Sequence, residues 1–114
     1  MQENTAMEQI AKEQPRRWQV VTVLGDSMFP TLRDGDQVLV ARSKRFSPGQ
    51  IVMFHDPSFR LAIKRLQSCE LESWFVEGDN QENSIDSRNY GLVSESDIQG
   101  VVLMRLWPRP GGVS

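Results

Sequence analysis

Two residues of this chain could together break an amide bond. One is Ser27, in Gly25-Asp26-Ser27-Met28-Phe29-Pro30-Thr31-Leu32; the other is Lys64, in Leu61-Ala62-Ile63-Lys64-Arg65-Leu66. A serine hydroxyl attacks a carbonyl only when another group takes its proton. Histidine is the usual acceptor, but the only one is His55, in a His-Asp-Pro turn that reads as solvated. A lysine amine can replace it if desolvation disfavours the ammonium and brings the group to about 7 to 8, where lysine works as a base. Read as a strand, residues 61–66 put Lys64 on one face with Ala62 and Leu66 and turn Arg65 the other way. One cation is then dry and its neighbour wet. Each residue also has a plainer reading by itself. Ser27 can be a strand-to-turn corner whose side chain bonds nearby amides, and Lys64 a surface lysine lying along a strand.

The loop that presents Ser27 has a defined shape. The strand-forming run Val20-Val21-Thr22-Val23-Leu24 precedes it, Gly25 permits a positive φ, and Pro30 directs the exit. A third stretch, Gly78-Asp79-Asn80-Gln81-Glu82-Asn83-Ser84-Ile85-Asp86-Ser87-Arg88, is too polar for core. Its Asx and Ser side chains can bond their own backbone, and Asp86 with Arg88 can pin the loop as a carboxylate–guanidinium pair. Such a loop could orient an amine, or be no more than a well-formed surface turn.

In this order, GDSMFPTL, Pro48-Gly49-Gln50-Ile51-Val52-Met53-Phe54, Ala62-Ile63-Lys64-Arg65 and GDNQENSIDSR span roughly residues 20 to 105. Together they resemble the serine–lysine peptidases of the signal peptidase I and LexA-like superfamily. The resemblance implies Ser27 as nucleophile, Lys64 as general base, Ser84 as the hydroxyl that orients the lysine, and Asp86 with Arg88 as a structural pair. Some members carry a serine two positions before the nucleophile that helps to hold the oxyanion. Here that position is Gly25, so the oxyanion is expected on backbone amides, chiefly that of Ser27.

The surrounding elements read as strands: Trp18 to Leu24, Gln37 to Ala41, Gln50 to Phe54, the lysine strand, Leu71 to Glu77 and Gly100 to Trp107. The expected fold class is mainly β, a small twisted or barrel-like antiparallel sheet assembly with a possible short N-terminal helix through Met7, Ile10 and Ala11. The expected organisation is a polar segment over 1–17, a peptidase domain over 18–108 and a flexible Pro- and Gly-rich tail over 109–114. Asp34 and Asp36 read as residues of an Asp-Gly turn, with no third oxygen ligand spaced to join them, and no metal or cofactor is expected.

With 114 residues the chain supports one modest core, and its net charge of −2 argues against a dedicated nucleic-acid partner. The single cysteine, Cys69, excludes an internal disulfide. No apolar run approaches the ~20 residues that span a bilayer. A chain without a transmembrane anchor is expected in the cytoplasm. The repressor branch of the superfamily cuts itself at Ala-Gly or Cys-Gly, and neither dipeptide occurs. What remains resembles the soluble proteases that mature nickel-type superoxide dismutase by removing an N-terminal propeptide. The expected partner is therefore a protein with an extended N-terminal segment, such as that precursor. Two alternatives stay open: signal peptidase I-like processing of exported proteins, and a non-catalytic peptide-binding module of the same fold.

Overall fold

The computed structural model describes residues 17–113; the expected N-terminal helix lies outside them. Seven antiparallel strands form one sheet: β1 (Trp18–Thr22), β2 (Gln37–Ala41), β3 (Ile51–His55), β4 (Leu61–Glu70), β5 (Ser73–Glu77), β6 (Val93–Ser94) and β7 (Ile98–Trp107). The order across the sheet is β1-β2-β7-β3-β4-β5-β6. A single turn of helix, α1 (Ser87–Tyr90), follows the polar loop after β5.

The pattern of β3 shows how the sheet is buried. Ile51 and Met53 join one apolar cluster and Val52 and Phe54 a second, so alternate side chains of a central strand feed cores on opposite faces. The first cluster also holds Val23, Met28, Leu32, Val38, Val40, Val102 and Val113. Val23 before Ser27 and Met28 and Leu32 after it are all buried, which anchors the loop on both sides of the serine. Register shifts in the β2–β7, β3–β7 and β4–β5 pairings add local twist and help to curl the sheet. The curl brings Val21 and Thr22 of β1 and Leu61 to Lys64 of β4 to one cleft, although three strands separate β1 from β4 in the sheet.

The expected strand limits shift at several places, with β3 displaced by one residue to Ile51–His55 and β4 running on to Glu70. β1 ends at Thr22 because the chain turns there: Val23 N–H donates to the Asp36 carbonyl and Gly35 N–H to the Val23 carbonyl, while Leu24 is exposed. Leu71, expected within β5, instead takes a positive φ in the turn between β4 and β5. β7 begins two residues earlier than expected, at Ile98. The segment expected to be a flexible tail folds back on the sheet: Gly111 and Arg105 exchange backbone hydrogen bonds, and Val113 is buried in the first cluster. No helix among the described residues is long and apolar enough to cross a membrane.

Leu32 is fully buried where the Ser27 loop meets the core. Leu32→Ala is expected to lower stability by about 2–5 kcal/mol, read as a shift in denaturant midpoint at constant m-value.

Candidate active site

Ser27 and Lys64 line the same cleft, of about 300 Å³, with Val21, Met28, Met53 and Ile63 among the apolar residues of its walls. Ser27 is half-buried on the turn that follows β1. Lys64 is 7 % exposed, next to its β3 partner Val52, and shares strand parity with Ala62 and Leu66, which pack in the second cluster. No carboxylate forms an ion pair with it among the described residues. Burial pushes the Lys64 amine below the ordinary lysine range, against the opposing pull of the Asp86 and Asp56 carboxylates, while Arg88 adds to the lowering. No direct hydrogen bond links the Lys64 amine to the Ser27 hydroxyl among the described residues.

Gly25 has φ +82, and its N–H donates to Asp34 Oδ1 at 2.7 Å. That amide is therefore occupied. The Ser27 N–H has no acceptor among the described residues, which leaves it able to receive an oxyanion. Asp34 and Asp36 serve the turn: Asp36 Oδ2 accepts from Arg33 N at 2.9 Å. No group of three His, Cys, Asp or Glu side chains gathers as a metal site among the described residues.

Two carboxylates hold the loops around the cleft. The Asp86 side chain caps α1 and accepts from Arg88 N (3.1 Å), Arg88 Nε (2.9 Å) and Nη2 (3.0 Å), Gly78 N (2.9 Å) and Ser84 Oγ (2.7 Å). Burial by itself would raise the Asp86 carboxyl, but the bonds from Arg88, Ser84 and Gly78 outweigh it and hold the group well below the usual carboxylate range. The pairing of Asp86 with Arg88 is thus present. Ser84 donates to Asp86, and no hydrogen bond joins its hydroxyl to Lys64.

The second carboxylate is Asp79, which sequence reasoning did not single out. It receives Arg65 Nε and Nη2 at 2.8 and 2.7 Å and the Thr31 hydroxyl at 2.5 Å. Arg65, expected to face water, is instead tied to Asp79 and to the Gly49 carbonyl, with only 18 % of its side chain exposed. The next residue, Asn80, donates from its backbone to the Ser27 carbonyl (2.9 Å) and from its side chain to the Asp26 carbonyl (3.1 Å). Residues 78–80 therefore clamp the Ser27 loop and fasten it to the strand that bears Lys64. The only signal in the sequence was the Gly-Asp-Asn run itself, whose partners lie about 50 residues away for Ser27 and Thr31.

The Peptidase S24-like family profile matches residues 2–103 of the chain. The chain is similar to the mitochondrial ATP-independent inner membrane protease subunit 1b of Arabidopsis thaliana, with 35 % identity over 74 % of this chain and 67 % of that protein. It is also similar to the mitochondrial inner membrane protease subunit 1 of Xenopus tropicalis, with 31 % identity over 79 % of this chain and 70 % of that one. Signal peptidase IB of Staphylococcus aureus is 25 % identical over 76 % of each chain.

Gly78 is where these loops approach most closely: a Cβ there would lie 2.5 Å from the Ser27 carbonyl oxygen and 2.6 Å from Ser84 Cβ. Gly78→Ala must displace one of the two loops and is expected to cost about 1–3 kcal/mol of stability. A thermal melt that matches the parent protein would show that the clamp is loose.

Proposed function

The chain belongs to the Peptidase S24-like family of serine peptidases, and on that premise we propose that it is an endopeptidase in which Ser27 attacks and Lys64 is the base. The observation that carries this reading is a buried lysine without a counter-ion in the same cleft as a serine on a clamped turn. The neutral Lys64 amine takes the Ser27 proton as Oγ attacks the scissile carbonyl carbon. The Ser27 N–H stabilises the oxyanion that forms. Collapse of the tetrahedral intermediate breaks the C–N bond, Lys64 returns its proton to the leaving amine, and an acyl-enzyme remains. Water, deprotonated by the same amine, then attacks the ester carbon, the bond to Ser27 Oγ breaks, and Lys64 returns the proton to Oγ. Ser84 keeps its lone pairs available after donating to Asp86, so its oxygen can accept a hydrogen bond from the Lys64 amine and orient it.

The substrate is an extended chain. β1 ends the sheet, and Leu61 to Lys64 pair only with β3, because the β4–β5 pairing starts at Arg65. Two strand edges with unpaired backbone groups thus border the cleft, and an extended peptide can add to them while small apolar side chains enter between Val21, Met53 and Ile63. This favours removal of an N-terminal leader or propeptide. The substrate we propose is a nickel-type superoxide dismutase precursor, as the resemblance of the sequence motifs to the soluble maturation proteases implies. The likeness to Signal peptidase IB favours a second reading, cleavage of exported proteins. Incubation with each class of precursor, followed by N-terminal sequencing of the product, separates the two.

Ser27→Ala and Lys64→Ala are each expected to reduce cleavage by roughly 10³-fold or more with the melting transition kept, measured on one precursor substrate. Full activity in Ser27→Ala would refute the mechanism, whereas no cleavage by the parent protein would leave a peptide-binding module. Activity should rise with pH, because only the neutral amine accepts a proton, through an apparent pKa below the value of about 10.4 for a free lysine. Burial lowers the Lys64 amine, so the rise comes at lower pH than for an exposed lysine. A flat profile between roughly pH 6 and 9 would exclude Lys64 as the base.

A further inference from the structure

A second cleft, of about 450 Å³, is lined by Pro30, Arg33, Asp36, Arg105, Pro108 and Arg109. Its charge is unbalanced. Its lining residues carry three guanidinium groups and one carboxylate, an excess of two positive charges in a chain whose net charge is −2, and the Arg33 guanidinium lies over the Phe29 ring, 5.2 Å from its centroid. Asp36 does not offset them by pairing: its carboxylate accepts from the Arg33 backbone N–H, and no ion pair among the described residues joins Arg33, Arg105 or Arg109 to a carboxylate.

Arg105 lines the cleft, and two other arginines of the same fold provide a contrast. Arg65 and Arg88 each close on an aspartate, at 2.7 and 2.9 Å. Arg105 is half-buried on β7, yet its guanidinium meets only neutral acceptors, the Arg109 carbonyl from Nε at 2.7 Å and the Thr31 carbonyl from Nη1 at 3.5 Å. Those bonds hold the planar group in place and leave Nη2 without an acceptor among the described residues. A positioned fork of this kind, flanked by two more guanidinium groups, suits an oxyanion that accepts several charge-assisted bonds at once. Arg33 comes from the loop after Leu32, Arg105 from β7 and Arg109 from the segment that folds back, so only the tertiary structure assembles the three.

We propose that this cleft is a binding site for a phosphate-type dianion, either free phosphate or a phosphate monoester headgroup, with Arg105 as its central ligand. The excess of two charges matches a dianion better than a single carboxylate. The site shares Pro30 and the Thr31 carbonyl with the loop that bears Ser27, but the proposal does not depend on the peptidase reading.

The test titrates the full-length protein with inorganic phosphate by calorimetry at constant ionic strength, with chloride as control. A parallel arm measures co-sedimentation with phosphatidylcholine vesicles with and without phosphatidic acid. Saturable binding in either arm is expected, and the arm that responds identifies the source of the phosphate. Arg105→Gln should weaken it by about tenfold or more, the effect of losing one charge-assisted contact. Arg105→Lys, which keeps the charge and loses the fork, should restore only part of it. Arg33→Gln/Arg109→Gln, at two exposed positions, gives the same reading should Arg105→Gln fail to fold. Absence of saturable binding in both arms, or binding that none of these substitutions weakens, overturns the proposal.

Discussion

Burying an ammonium group without a partner carboxylate is unfavourable, and the arrangement around Lys64 follows from keeping that group dry. The side chain lies on a strand between two apolar neighbours of the same parity, and Lys64 lines the cleft. Had a carboxylate been placed against it, the pair would have been stabilised as charged species and the amine would have been held as a cation. The acids of the site are committed elsewhere. Asp86 is occupied by Arg88, Ser84 and the Gly78 amide, and Asp79 by Arg65 and Thr31. Each acts on Lys64 at most through its field, which leaves desolvation as the largest influence on the amine.

The same two aspartates do the mechanical work of the site. Asp79 and Asn80 hold the Ser27 turn through Thr31, Ser27 and Asp26, and Asp79 reaches through Arg65 to the strand carrying Lys64. Asp86 draws Gly78 and Ser84 together and caps the helical turn whose Arg88 answers it. Each carboxylate accepts bonds from a cation and from a neutral donor, so both are satisfied although little exposed. Three short loops are tied to one another because they share acceptors. Gly78 stands at the junction, where nothing larger than hydrogen fits without movement.

The sheet supplies what loops cannot. A flat seven-stranded sheet would hold β1 far from β4, but the bulged pairings curl it until the two face across the cleft. The pairing of β4 also changes along its length, with β5 joining only from Arg65 onward, so an unpaired edge lies beside the buried lysine. A peptide that completes that edge would exclude water from the amine at the moment it is placed for attack. Val113 closes the first apolar cluster from below, packing the returning C-terminal segment into the core that anchors Met28 and Leu32.

Much of this was legible in the chain because it is local. Alternating apolar residues define the strands, Asp-Gly and Pro-Gly pairs mark the turns, and the two-residue spacing of Asp86 and Arg88 is short enough for their pairing to be read directly. The parity of Lys64 with Ala62 and Leu66 likewise follows from strand geometry alone. Other features depended on partners distant in sequence. Arg65 has the pattern of a solvated strand residue until Asp79 arrives from 14 residues away, and the Pro- and Gly-rich end reads as loose until Gly111 finds Arg105 and Val113 enters the core. Residue type and local period determine which side chains can do chemistry and which face of an element they take. Which loops share a carboxylate, which strand edges stay unpaired and which guanidinium is left without an acid are settled only when the curled sheet brings remote segments into contact, because hydrogen bonding and desolvation act over a few ångströms of space regardless of separation along the chain.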